Sequence, residues 1–156
     1  MRVQDLMTTA PAICLPHDAL HRAAALMWEH DCGCLPVCTP GTRQVEGIIT
    51  DRDICMAAYI RRLPLMEITV AEAMRRPVRV CALTDSLAQV QQIMVEAKIR
   101  RLPVVDGDGN LAGIISLTDL AHEARRQQTR QTRDLTGHDV TVTLASICEA
   151  RQGPAG

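Results

Sequence analysis

Two pairs of side chains invite a chemical reading first. Thr50 and Asp53 stand three residues apart, and so do Ser116 and Asp119. At a helix entrance this spacing sets a hydroxyl at the mouth and a carboxylate one turn on, along the same side. A carboxylate so placed can accept both hydrogen bonds of a ribose diol. The hydroxyl and the first free helix amides suit a phosphate or sugar oxygen. The plainer reading is that each pair caps a helix. Both roles can hold at once.

The cysteines form a second constellation. Cys32-Gly-Cys34-x3-Cys38, with Cys14 as a fourth thiolate, suggests a metal site. Zinc sites space paired cysteines by two to four residues and gather a second pair elsewhere, whereas one residue separates the first pair here. Buried thiols acting as small core residues explain these cysteines more simply. A redox pairing of Cys14 with Cys38 stays open beside that. Seven cysteines at irregular spacing fit reduced thiols better than a disulfide framework. His17 and His21 are four apart but read as solvated side chains. Asp106-x-Asp108-x-Asn110 imitates a calcium loop, yet Leu111 and Leu117 occupy its glycine and glutamate places, which excludes it.

The elements that position these groups come from an internal repeat. A shift of 67 residues lays Val3-Gln-Asp-Leu-Met7 on Val70-Ala-Glu-Ala-Met74. It also lays Cys14 on Cys81, Asp18 on Asp85, Met27 on Met94 and Leu35-Pro-Val37 on Leu102-Pro-Val104. After a one-residue change in a turn, Gly47-Ile-Ile49 meets Gly113-Ile-Ile115 and Asp53 meets Asp119. The chain is a tandem duplication. Its divisions are 1–66, 67–127 and a C-terminal extension, 128–156.

Each repeat reads β-α-β-β-α, opening on a short apolar segment at Ala12–Leu15 and at Arg79–Leu83, which predicts a mixed α/β (α+β) fold. Asp18 and Asp85 are expected to cap helices over Ala19–His30 and Ser86–Ala97. Gly33 is expected to close the first of these in a left-handed conformation. Strands follow at Leu35–Cys38 and Val45–Thr50, and at Leu102–Val105 and Leu111–Ser116. The second helices are placed at Arg52–Arg61 and Thr118–Gln128. Neither half is comfortably large alone, so the two are expected to pack sheet to sheet. In the extension Asp139 is expected to cap a two-turn helix whose Val140, Leu144 and Ile147 share a face. Such a helix must dock on a neighbouring repeat, of this subunit or another. The final Gly153-Pro-Ala-Gly156 is expected to fray.

Asp5-Leu-Met7 with Glu72-Ala-Met74, Leu-Pro-Val twice, and Gly47-Ile-Ile-Thr-Asp-Arg-Asp53 with Gly113-Ile-Ile-Ser-Leu-Thr-Asp119 form an ordered, duplicated set. Over roughly residues 1–126 this resembles the cystathionine-β-synthase (CBS) domain, which occurs in pairs called Bateman modules. The resemblance is to the stand-alone bacterial type, including hypoxic-response proteins. It implies a pseudo-twofold pair of repeats that regulates rather than catalyses. It also implies an adenosine-containing ligand (AMP, ADP, ATP, NAD or S-adenosylmethionine) in inter-repeat clefts, and a homodimer signalling to an effector protein.

Within that resemblance Thr50, Asp53, Ser116 and Asp119 would face ribose and phosphate. Pro36 and Pro103 would offer apolar surface to adenine. Arg100 and Arg101 lie where such modules often place phosphate contacts, and arginine's planar fork fits phosphate geometry. The first repeat has Gly33-Cys34 at that place, so the two clefts are not expected to be equivalent.

Composition narrows the alternatives. A net charge of −1 argues against binding a phosphate backbone, and with Trp28 and Tyr59 as the only aromatics a base-stacking platform is disfavoured. The longest apolar run, Ile54 to Ile60, is too short to cross a bilayer. With no signal core at Met1–Met7 the expected address is the cytoplasm. No Walker loop, dinucleotide fingerprint or nucleophile elbow occurs, so no enzymatic activity is expected. A thiol-based redox or metal sensor and a purely structural dimerisation module remain the competing readings.

Overall fold

A computed structural model describes residues 1–130 and 135–148. The end at Gly153–Gly156, expected to fray, lies outside the described residues. In chain order the elements are β1 (Thr8–Thr9), α1 (Leu20–Glu29), β2 (Cys34–Cys38), β3 (Val45–Thr50), α2 (Asp51–Arg61) and α3 (Val70–Ala73). They continue with β4 (Cys81–Ala82), α4 (Leu87–Ala97), β5 (Arg101–Val105), β6 (Leu111–Ser116), α5 (Leu117–Arg130) and α6 (Gly137–Cys148). The mixed α/β fold matches the expectation, and the later strands and the helices of each repeat match to within a residue or two at most ends. The leading strand expected at Ala12–Leu15 is reduced to a single bridge from Cys14 to Val37, and the short α3 falls outside the expected set. None of the described helices is long and apolar enough to cross a membrane.

The chain divides into two compact units whose boundaries do not coincide with the repeats. One unit comprises Thr9–Val78 with Val105–Gly113; the other comprises Met1–Thr8, Arg79–Val104 and the chain from Ile114 onward. The leading segments are therefore exchanged. Val70 N–H donates to Asp18 C=O at 2.8 Å, and its counterpart Val3 N–H donates to Asp85 C=O at 2.9 Å. Both valines are fully buried, Val70 with Leu20, Leu35 and Ile49, Val3 with Leu87, Leu102 and Ile115. Each repeat's first valine completes the other repeat's core.

In the first unit β2 and β3 form an antiparallel pair, with Leu35 opposite Ile49 and Val37 opposite Gly47. Leu20, Ala23 and Met27 of α1 bury against it, as their spacing requires. In the second, β6 and β5 lie between β1 and β4, and Leu87, Val90 and Met94 of α4 make the equivalent stripe. The Asp106–Asn110 turn closes the β5–β6 hairpin: Asp106 N–H donates to Asn110 C=O at 2.9 Å, and Gly109 takes φ +82°.

Three local expectations are corrected. Asp18 and Asp85 do not cap α1 and α4; they accept from Leu15 and Ala82 N–H at 2.8 and 2.9 Å, bracing the turn before each helix. The caps are Ala19, which has no side-chain acceptor, and Ser86, paired with Gln89. Gly33 has no positive φ; Asp31 (φ 47°) and its counterpart Lys98 (φ 51°) take the left-handed positions instead.

The third correction concerns the extension. Its helix is capped by Thr136, with Asp139 completing the reciprocal pair, and it is longer than two turns. It docks on α4 and α5 of its own chain. Its inward face is Thr143 and Ile147 with half-buried Val140, while Leu144 is exposed. Gln91 Nε2 donates to Thr143 Oγ1 at 3.0 Å across that contact.

Gln127 anchors the approach to α6. It is buried, donates from Nε2 to Glu123 Oε1 at 3.1 Å and accepts from Leu135 N–H at 2.8 Å. Removing it leaves a buried amide and a buried carboxylate without these partners. Gln127→Ala is expected to lower stability by about 1–3 kcal/mol in urea titrations of the full chain.

Candidate functional site

The strand-to-helix junctions of the two units are built alike. β3 runs into α2 at Thr50, whose N–H and Oγ1 both donate to Asp53 Oδ2, at 3.0 and 2.7 Å, while Asp53 N–H donates back to Thr50 Oγ1 at 3.2 Å. β6 runs into α5 at Ser116, whose N–H and Oγ donate to Asp119 Oδ2 at 2.8 and 2.6 Å, and Asp119 N–H returns the bond at 3.3 Å. Each is a complete capping box. The same reciprocal arrangement recurs at Thr69/Glu72, Ser86/Gln89 and Thr136/Asp139. The pattern alone therefore starts helices; what surrounds a given pair decides whether it also meets a ligand.

The surroundings differ. In the first unit the backbone at Met74–Arg76 lies along β3, with Arg75 N–H donating to Ile48 C=O at 2.8 Å and Ile48 N–H returning at 3.3 Å. This brings Arg75 Nε within 2.8 Å of Asp53 Oδ1, where the carboxylate is 10% exposed and the arginine 46%. Arg76 pairs with Glu46 at 3.3 Å on the same segment. No residue type hinted at the Arg75 contact, because Arg75 belongs to the leading segment of the other repeat. The only available signal was that Thr8 stands at its counterpart.

In the second unit Leu117 N–H donates to Arg100 C=O at 2.9 Å, which fixes Arg100 beside the first turn of α5. Asp51 N–H makes the matching bond to Gly33 C=O at 3.3 Å, so that place carries no side chain in the first unit. Arg100 and Arg101 are both exposed, and neither forms an ion pair among the described residues. Ser116, Asp119 and Arg100 thus belong to one junction. Pro36 and Pro103 are buried within β2 and β5.

The thiols of the two repeats also correspond. Cys14 Sγ donates to Pro36 C=O at 4.0 Å and Cys81 Sγ to Pro103 C=O at 3.8 Å. Burial first, then repulsion from Asp18 and Asp85, pushes both thiols up to about 12. Burial likewise raises Cys38, against a lowering influence from Arg43. Cys14 and Cys38 are joined through the backbone, Cys38 N–H to Cys14 C=O at 3.1 Å, and both are free thiols. Cys34 is buried and Cys32 half-buried. Among the described residues no three His, Cys, Asp or Glu side chains gather where they could hold one metal ion.

The CBS domain profile matches residues 3–59 and 70–126, the two halves of the duplication. The chain belongs to the CBS domain family. It is 36% identical over 123 residues to the CBS domain-containing protein YhcV of Bacillus subtilis, covering 76% of this chain and 82% of that one. It is similar to the crystal structure of Hypoxic Response Protein I with two coordinated zinc ions, with a TM-score of 0.71 and 30% identity over 78% of this chain and 98% of that one. It is also similar to the crystal structure of CBSX2 in complex with AMP, with a TM-score of 0.71 and 26% identity over 81% and 98% of the two chains. The profile covers both strand-to-helix junctions, so each CBS repeat of this chain carries one hydroxyl–carboxylate pair.

The paired thiols give a testable pH dependence. Folded, Cys14 and Cys81 hold their protons to about 12, whereas the unfolded chain releases them near the ordinary 9.0. Their contribution to stability is therefore complete below pH 9 and is lost as pH climbs from there toward 12. Under reducing conditions, urea midpoints are expected to fall between about pH 8 and about pH 10 more steeply in the wild type than in Cys14→Ala/Cys81→Ala. In native labelling the exposed Cys55 and Cys148 react first, with Cys14 and Cys81 last.

Proposed function

We propose that the chain is a regulatory, non-catalytic CBS-pair protein that binds an adenosine-containing ligand and signals to an effector protein. The observation that carries this is the junction at Ser116–Asp119 and Arg100. A carboxylate and a hydroxyl pair there at the start of a 14-residue helix, and the backbone of Arg100 is bonded to that helix's first residue. Asp119 Oδ2 is held by the capping box, and among the described residues no side chain donates to its second oxygen. That oxygen is available to a ribose hydroxyl, and the guanidinium to a phosphate. The AMP complex of a relative of 26% identity supports the ligand class.

The same proposal includes a homodimer. Trp28 on α1 is 89% exposed; Tyr59 and Ile60 on α2 are 75% and 70% exposed, and Met66 is 70% exposed. All four belong to one unit, in which α1 packs on α2, and the proposal is that they form one patch. Two aromatic rings worth roughly 150–250 Å² each, with the aliphatic side chains around them, make up much of the roughly 800 Å² each partner gives a standard interface. Trp28→Ala/Tyr59→Ala is expected to sediment as a monomer where the wild type sediments as a dimer. A monomeric wild type would refute this part.

Ligand binding is tested by thermal shift against AMP, ATP, NAD and S-adenosylmethionine. A ligand at 100 times its dissociation constant is expected to stabilise the chain by about 2.7 kcal/mol. The shift is expected to vanish in Asp53→Asn/Asp119→Asn, because asparagine keeps an acceptor for the cap and loses the charge. Arg100→Ala is expected to weaken AMP more than adenosine. A shift with zinc or with oxidant alone would instead favour a metal- or thiol-based sensor.

A further inference from the structure

The two hydroxyl–carboxylate pairs have the same internal geometry and different neighbours. Asp53 is saturated. Its Oδ2 takes both Thr50 donors, and its Oδ1 takes Arg75 Nε at 2.8 Å. A ribose diol needs that second oxygen, and a half-exposed guanidinium already occupies it.

The segment that delivers Arg75 fits closely against β3. A Cβ at Gly47 would lie 2.8 Å from Met74 Sδ and 3.1 Å from Arg75 C=O, so only glycine there lets Met74 and Arg75 lie so near the strand. In the other unit the matching segment is β1, beside β6, and the residue matching Arg75 is Thr8. Threonine has neither the reach nor the charge to hold Asp119. The cation at that junction is Arg100, which carries no ion pair among the described residues and is absent from the first unit, where Gly33 stands.

We infer that Arg75 is a specificity-determining residue: it closes the Asp53 junction to nucleotides, so that each chain takes one, at Ser116–Asp119. This rests on the proposed reading that the hydroxyl–carboxylate pairs receive a ribose. Asp53 is then a structural carboxylate that ties the leading segment to α2, and the duplication has kept one receptor of two.

The experiment is isothermal titration of the full chain with AMP, using wild type, Arg75→Thr, Asp53→Asn and Asp119→Asn, each checked by circular dichroism. Wild type is expected to bind one AMP per chain. Binding is expected to disappear in Asp119→Asn and to persist in Asp53→Asn, and Arg75→Thr is expected to raise the stoichiometry to two. Two AMP per wild-type chain, or loss of binding in Asp53→Asn with retention in Asp119→Asn, would overturn the inference while leaving the ribose reading intact. So would a folded Arg75→Thr chain that still binds one. If no variant binds AMP, and the thermal screen finds no other adenosine ligand, the ribose reading and the inference fall together. The asparagine variants leave Arg75 in place, so they decide the matter even if Arg75→Thr does not fold.

Discussion

Two valines that cannot be buried by their own repeats set the organisation of this chain. Val3 and Val70 each open a repeat in the sequence and each sit, fully covered, in the core of the other. Their backbone amides are satisfied there too, on the carbonyls of Asp85 and Asp18. A repeat folded by itself would lack a core side chain and leave a turn carbonyl without its donor, which is costly once water is excluded. The exchange also decides which side chains can meet. The segment after Val70 runs along β3, and only for that reason does an arginine reach Asp53.

The two junctions share one arrangement of atoms and differ in what surrounds it. The helix needs an acceptor for its first amides, and the Ser/Thr–Asp pair supplies it with Oδ2 and the hydroxyl. This consumes half of the carboxylate. The other oxygen is where chemistry can differ, and it does: Arg75 holds it in one junction, and no side chain among the described residues holds it in the other. Because the capping half is identical in both, the helix starts say nothing about ligand binding. The information lies in the second oxygen and in the cation nearest to it.

Much of the fold was legible in the residues. The apolar spacing of Leu20, Ala23 and Met27, repeated at Leu87, Val90 and Met94, marks the buried helix faces, and the Asp106–Asn110 turn marks a hairpin. The family's pattern was also readable from short motifs in order. The misplaced details share a cause, which is competition between local options of similar energy. An aspartate before a helix can brace the preceding turn as readily as it can cap, and Asp18 and Asp85 do the former. A left-handed helix end favours glycine, yet Asp31 and Lys98 accept it where the surrounding chain demands it. In α6, Thr143 takes the inward place expected of Leu144, because a hydroxyl bonded to Asp139 C=O and Gln91 is fully satisfied there. The site was half legible: the duplicated pairs were visible, while Arg75 was hidden by its separation of 22 positions from its partner.

Internal duplication offers a control that a single domain lacks, since each position has a counterpart facing the same structural demand. Where the halves agree, the fold accounts for the agreement. Cys14 and Cys81 fill the same core position and point their thiols at the same proline carbonyl, and burial keeps both protonated at neutral pH. A thiol so held is a poor nucleophile, and packing accounts for this pair. Where the halves disagree, packing offers no reason for the difference. Gly33 against Arg100 and Thr8 against Arg75 exchange a small residue for a guanidinium at positions adjoining a carboxylate. One sets an exposed arginine at the junction where no described side chain donates to the second carboxylate oxygen, and the other pairs a guanidinium with that oxygen of Asp53. Two such differences are what the proposed division into one receptor and one structural junction requires, and both arginines are solvent-exposed, so neither fills the core of its unit.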